Sequence, residues 1–142
     1  MSNKKILFGM LVVGIIILIV VFSVYATQEK TVVLECSPEF WKNNLHLWKE
    51  VGVDYNDSFD ETFGKDYFDP DITLEQAIRK EGLGTDHLAS AGTAAYLSAL
   101  ADPEIDEEIV HRAVNFGYIH QIENYLSNCK NIEKKIPVMM FN

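Results

Sequence analysis

Two hydrophobic patterns divide this chain. Residues 6–26 read ILFGMLVVGIIILIVVFSVYA, 21 positions without a charged side chain. At ~1.5 Å per residue such a helix spans ~30 Å, the thickness of a bilayer's hydrocarbon core. Lys4 and Lys5 stand just before it and predict an N-terminus held in the cytoplasm, with everything after Ala26 outside. A cleaved signal peptide competes, because Val24-Tyr25-Ala26 resembles a small-x-Ala cleavage site. Signal h-regions run only ~7–15 residues, so the expectation is a retained anchor over residues 1–26. Both readings export the remainder.

Beyond residue 26 the pattern becomes helical. Residues 27–35 form a short linker, extended at 31–34. Ser37, Pro38 and Glu39 then make an N-cap, a first-turn proline and a favourable dipole charge. Trp41, Leu45 and Trp48 recur at i, i+4 and i+7, with Phe40, Leu47 and Val51 widening the stripe. One core helix over 37–51, stopped by Gly52, is predicted. Residues 53–72 break the period and read as an acidic loop whose interleaved aromatics pin it to the helices. Thr73-Leu-Glu-Gln76 has the capping-box pattern, starting a short helix that ends at Gly82. Thr85 or Asp86 caps the next helix, HLASAGTAAYLSALA, whose small residues admit close neighbours before Asp102-Pro103 stops it. Residues 104–130 resume the helical period with Ile109, Ala113 and Phe116 on one face, then Ile119, Ile122 and Leu126, and Gly117 as a kink or break. No strand pairs are signalled. The fold class expected is all-α: a transmembrane helix followed by a small extracytoplasmic helical domain over 36–130 and a tail over 131–142.

Charge narrows the partners. All 21 Asp and Glu lie beyond Ala26 against 10 of the 12 Lys and Arg, so the exported part carries about −11. That surface repels phosphate backbones and excludes nucleic acid as a partner class. Cys36 and Cys129 are the two cysteines, both in the exported part. An even count in an oxidising compartment favours one disulfide, which would close the domain and bring its first and last helices together. A metal-binding pair is the rival, but there is no CxxC and no histidine beside either cysteine.

Catalytic chemistry is weakly signalled. None of His46, His87, His111 and His120 forms an HExxH motif. Glu107 and His111 lie one helical turn apart and could share a metal, or pair on a solvated face. Ser90 and Ser98 lack a nucleophile-elbow context. Asp54-x-Asn56-x-Ser58 matches the first ligand positions of an EF-hand loop, but Phe59 replaces the turn glycine and Lys65 the bidentate glutamate. Asp54, Asn56, Asp57, Asp60 and Glu61 stay as weak candidates for a Ca²⁺ site of another geometry.

Cys36-Ser-Pro-Glu-Phe-Trp-Lys-Asn-Asn44, with Trp48, the segment from Thr73 to Ile78 and the helix from Leu88 to Ala99, resembles a domain of bacterial and archaeal surface proteins. That family begins Cys-Thr-Pro-Gly-Phe/Tyr-Trp-Lys-Asn-His, and Phe40, Trp41, Lys42 and Asn43 carry the match most specifically, with Trp48 in the signature core. The family's glycine falls on Glu39, its motif histidine on Asn44, its central Arg-His on Ser90 and Ala91, and its late-helix asparagine on Ser98. The resemblance implies export and fold more than an activity. The function expected is a non-catalytic, single-pass membrane-anchored interaction domain, an accessory subunit of a larger membrane complex. The alternative is a free-standing surface domain binding a ligand or Ca²⁺, with a hydrolase third.

Overall fold

The structure is a computed structural model that describes residues 29–129 and 132–137. The predicted anchor at 6–26 and the apolar tail residues Val138 to Phe141 lie outside the described residues. Among the described residues, no helix is long and apolar enough to cross a membrane. One compact unit runs Val32–Lys134 and holds every described helix. The other unit contributes 29–31 and 135–137, the outer parts of two strands.

Those strands correct the all-α expectation. Strand β1 (Glu29–Leu34) pairs with β2 (Ile132–Pro137) in a two-stranded sheet. It takes up most of the stretch expected to be a linker. Thr31, Val32 and Val33 are β-branched and suit a strand, but their partner is about a hundred residues away in sequence. The disulfide supplies the proximity. Cys36 and Cys129 are bonded with Cα atoms 6.1 Å apart, so β1 ends just before one half of the bridge and β2 begins just after the other.

Helix α1 (Pro38–Asn43) starts as expected, with Ser37 Oγ accepting from the Phe40 amide at 3.2 Å. It then breaks at Asn44, and two 3₁₀ turns, Leu45–Leu47 and Lys49–Val51, finish the stretch before Gly52. The cause is competition for backbone groups. The Asn44 side-chain amide donates to the Phe40 carbonyl (2.7 Å), and the Trp48 indole donates to the Trp41 carbonyl (3.0 Å). Both tryptophans are fully buried.

Residues 53–72 also contain more order than a loop. Helix α2 (Phe59–Phe63) is capped by Ser58 and closed by Gly64 at φ 69°, a left-handed residue that glycine adopts without penalty. Phe59 packs against Phe63, Tyr67 and Phe68, so the aromatics do fix this segment. Helix α3 (Leu74–Ile78) has the capping box in full: Thr73 Oγ1 accepts from the Gln76 amide, and Gln76 Oε1 accepts from the Thr73 amide.

Helix α4 (Thr85–Ala101) is the hub. It is buried on almost every side, and α1, α3, α5 (Glu107–Asn115) and α6 (Ile119–Asn128) all pack on it, while α2 packs on α5. A Cβ placed on Gly92 would sit 2.8 Å from Val114 Cγ2, so the small residues of α4 do admit a close neighbour. The disulfide brings the residue before the Ser37 cap of α1 within 6.1 Å (Cα–Cα) of the residue that ends α6, while both helices pack on α4. Gly117, at φ 70°, separates α5 from α6 as a full break.

Candidate functional site: an apolar groove on the last two helices

The signature residues occupy structural positions. Trp41 Nε1 donates to Ser98 Oγ (2.9 Å), and that hydroxyl donates to the Ala94 carbonyl (2.7 Å), so Ser98 satisfies a buried indole. Lys42 Nζ lies 2.7 Å from one oxygen of Glu39, and Asn43 Nδ2 donates to the other at 2.8 Å. These hydrogen bonds hold the Glu39 carboxyl below the usual range. Ser90 donates to the Ile78 carbonyl, tying α4 to α3. Phe40 packs edge-on against Trp41.

The five Ca²⁺ candidates are not brought together. Asp54 and Asp57 close a turn on themselves: Asp54 Oδ1 accepts from the Asn56 amide and Asp57 Oδ2 from the Asp54 amide. Asp60 is buried and turns toward the Phe68 amide, while Glu61 is exposed at the start of α2. No three Asp, Glu, His or Cys side chains among the described residues converge as metal ligands. Glu107 and His111 share α5, but His111 packs against the rings of Phe63 and Tyr96. Burial, followed by the charges of Glu107 and Asp57, pushes the Tyr96 hydroxyl up.

The arrangement best suited to binding lies between α4, α5 and α6. A groove of about 400 Å³ has the buried side chains Ala95, Val110, Ala113 and Ile122 at its base, with Ile105, Ile109 and Tyr125 completing its apolar lining. Glu104, Asp106 and Gln121 are its polar members, and it adjoins a second cleft lined by Asp102, Asn124 and Asn128. The Tyr125 hydroxyl is buried without a hydrogen-bond partner. Burial, with a smaller contribution from Asp102, pushes it up to about 12, so at neutral pH the hydroxyl stays protonated.

Three exposed large apolar side chains lie on this helix pair or the turn that joins it, while Leu83 and Val33 are exposed elsewhere. Ile109 is 53% exposed at the groove, and Phe116 (64%) stacks on Tyr118 (50%) at the turn between α5 and α6. This corrects the face expected for α5: its buried stripe is Val110, Ala113 and Val114, and Ile109 and Phe116 point outward. A period of 3.6 fits both stripes, which share Ala113 and lie side by side on the helix. The close approach of Val114 to Gly92 selects between them. Two further contacts were hidden in the sequence: His87 of α4 and His120 of α6 reach opposite oxygens of Glu123, each at 3.2 Å.

No family model, curated protein or solved structure matches this chain.

Proposed function

We propose that this chain is a single-pass, membrane-anchored, non-catalytic domain on the outer face of the cell membrane, serving as an accessory subunit that docks on a larger membrane assembly. Residues 6–26 and the lysines before them support the anchor and its orientation. The Cys36–Cys129 bond fits an oxidising compartment. The resemblance to surface-protein domains in the Cys36–Asn44 stretch points the same way.

The observation that carries docking is the apolar groove with half-exposed Ile109 on its lining. The occupant it fits is a partner-protein segment with apolar side chains flanked by Lys or Arg. Apolar side chains fill the groove, and the carboxylates of Asp102, Glu104 and Asp106 meet the cations. Such charges speed and orient association more than they add affinity.

Mild-detergent extraction followed by size-exclusion chromatography and mass spectrometry tests this. The wild-type full chain is expected in a larger assembly with a stoichiometric membrane partner. Ile109→Asp, at an exposed position, releases it as a folded monomer. A wild-type chain that elutes alone, or an assembly untouched by Ile109→Asp, contradicts the docking face.

A further inference from the structure

Asn56 stands at an exposed corner of the domain, within the run Asp54-Tyr55-Asn56-Asp57-Ser58. It is the only asparagine of the chain with Ser or Thr two positions on, and no proline stands between. We infer that Asn56 is an N-glycosylation site that receives an oligosaccharide from a lipid-linked phosphate donor, an inference that rests on the domain being exported. Asn-x-Ser is the acceptor pattern for this transfer and belongs to surface loops of exported proteins.

The fold presents this asparagine outward. Asp54 Oδ1 accepts from the Asn56 backbone amide (2.9 Å) and the Asp54 carbonyl from the Asp57 amide (3.0 Å), which closes an Asx-type turn. On either side of Asn56, the Tyr55 and Asp57 carbonyls accept from the amides of Glu75 and Leu74, at 3.0 and 2.8 Å. Val53 before the corner and Phe59 after it are buried. The backbone is thus held from both sides. Among the described residues, the Asn56 side chain bonds only to the exposed Asp54, through Nδ2 at 3.1 Å. A glycan on that nitrogen displaces no buried group. Asn56 lines neither the apolar groove nor the cleft beside it, so sugar and docking partner use different surfaces.

In the transfer, the bond from the sugar's anomeric carbon to a phosphate oxygen breaks, and the lipid phosphate leaves with the electron pair. A new bond joins that carbon to Asn56 Nδ2, and one amide proton passes to a base of the transferase. Ser58 sets the timing. The acceptor pattern requires its hydroxyl, yet in the folded domain Oγ accepts from the Glu61 amide at 2.9 Å as the cap of α2 and donates to Asp71. That hydroxyl is free only before α2 forms. The sugar is therefore added as the chain emerges from export, and the finished fold accommodates it without rearrangement.

The test uses the full chain purified from the membranes of its native cells. Trypsin releases residues 50–65 as one peptide in which Asn56 is the only asparagine. Mass spectrometry is expected to find that peptide glycosylated in most molecules, with the sugar on Asn56. Asn56→Gln loses the glycan and Ser58→Thr keeps it. Ser58→Asn loses it although asparagine also caps a helix, so a melting temperature close to wild type separates the lost hydroxyl from lost folding. Leu83→Asn is the export control, since it completes an Asn-x-Thr pattern with Thr85 at a side chain 89% exposed. A glycan in the Leu83→Asn variant with none on Asn56 overturns this site and leaves export standing. A peptide 50–65 that is bare in every protein also overturns it, and surface labelling of intact cells then judges export separately. A glycan that survives Asn56→Gln sits on a hydroxyl and overturns Asn56 as the acceptor.

Discussion

Tyr125 combines two properties that oppose each other at a single atom: its hydroxyl is buried, and it has no partner. Its folded pKa of about 12 lies above the ordinary tyrosine value of about 10. Below pH ~10 the hydroxyl is protonated in both states and this contribution to stability is complete. Between about 10 and 12 the unfolded chain releases the proton while the folded chain keeps it, so stability falls as pH rises through that window and the contribution is lost beyond it. Tyr125→Phe is expected to match wild type within about 1 kcal/mol at pH 7, since no hydrogen bond is given up. It should also lose less stability than wild type between pH 9.5 and 11.5. Urea melts across that range check this, and parallel alkaline slopes in the two proteins count against it. Local signals at this scale were readable in the sequence. Ser37 and the Thr73–Gln76 box are caps whose partners lie three residues away. The break at Asn44 was not readable, because it depends on an indole seven residues on reaching back to the Trp41 carbonyl.

Among the elements, the packing of α5 on α4 decides both which residues of α5 enter the core and which it leaves exposed. Gly92→Ala separates two effects of known size. Alanine improves helix propensity by about 1 kcal/mol. Its Cβ would meet Val114 Cγ2 at 2.8 Å, and Val114 is fully buried and short, with little room to yield. Overpacking of this kind costs about 1–3 kcal/mol, so a net loss of roughly 1 kcal/mol is expected. The Gly92→Ala/Val114→Ala pair should lose less than the sum of the single losses in denaturant melts. A Gly92→Ala variant stabilised by the whole propensity gain contradicts the close approach. The same contact explains why the exposed Ile109 and Phe116 were misplaced by periodicity alone. Two stripes side by side satisfy one helical pattern, and only the neighbouring helix distinguishes them. The small-residue character of α4, by contrast, already predicted that neighbours pack tightly around it.

At the scale of the whole molecule, the Cys36–Cys129 bridge and the β1–β2 pair join the two ends of the helical unit. With 93 residues of separation, chain-entropy arithmetic gives the bridge about 4–5 kcal/mol, a large share of the stability of one small domain. The cysteine count made the bond legible, but the strand pair was not, since one strand acquires its partner only when the bond brings the chain ends together. The groove was equally hidden, because its lining comes from three helices. The central claim, a disulfide-closed domain held outside the membrane, is tested most directly by labelling intact cells with a membrane-impermeant maleimide-polyethylene glycol, with and without a membrane-impermeant reductant. The account predicts no mass shift before reduction and two added labels after it, in a chain that stays in the membrane fraction. Labelling without reduction contradicts the bridge, and labelling only after lysis contradicts the exported location.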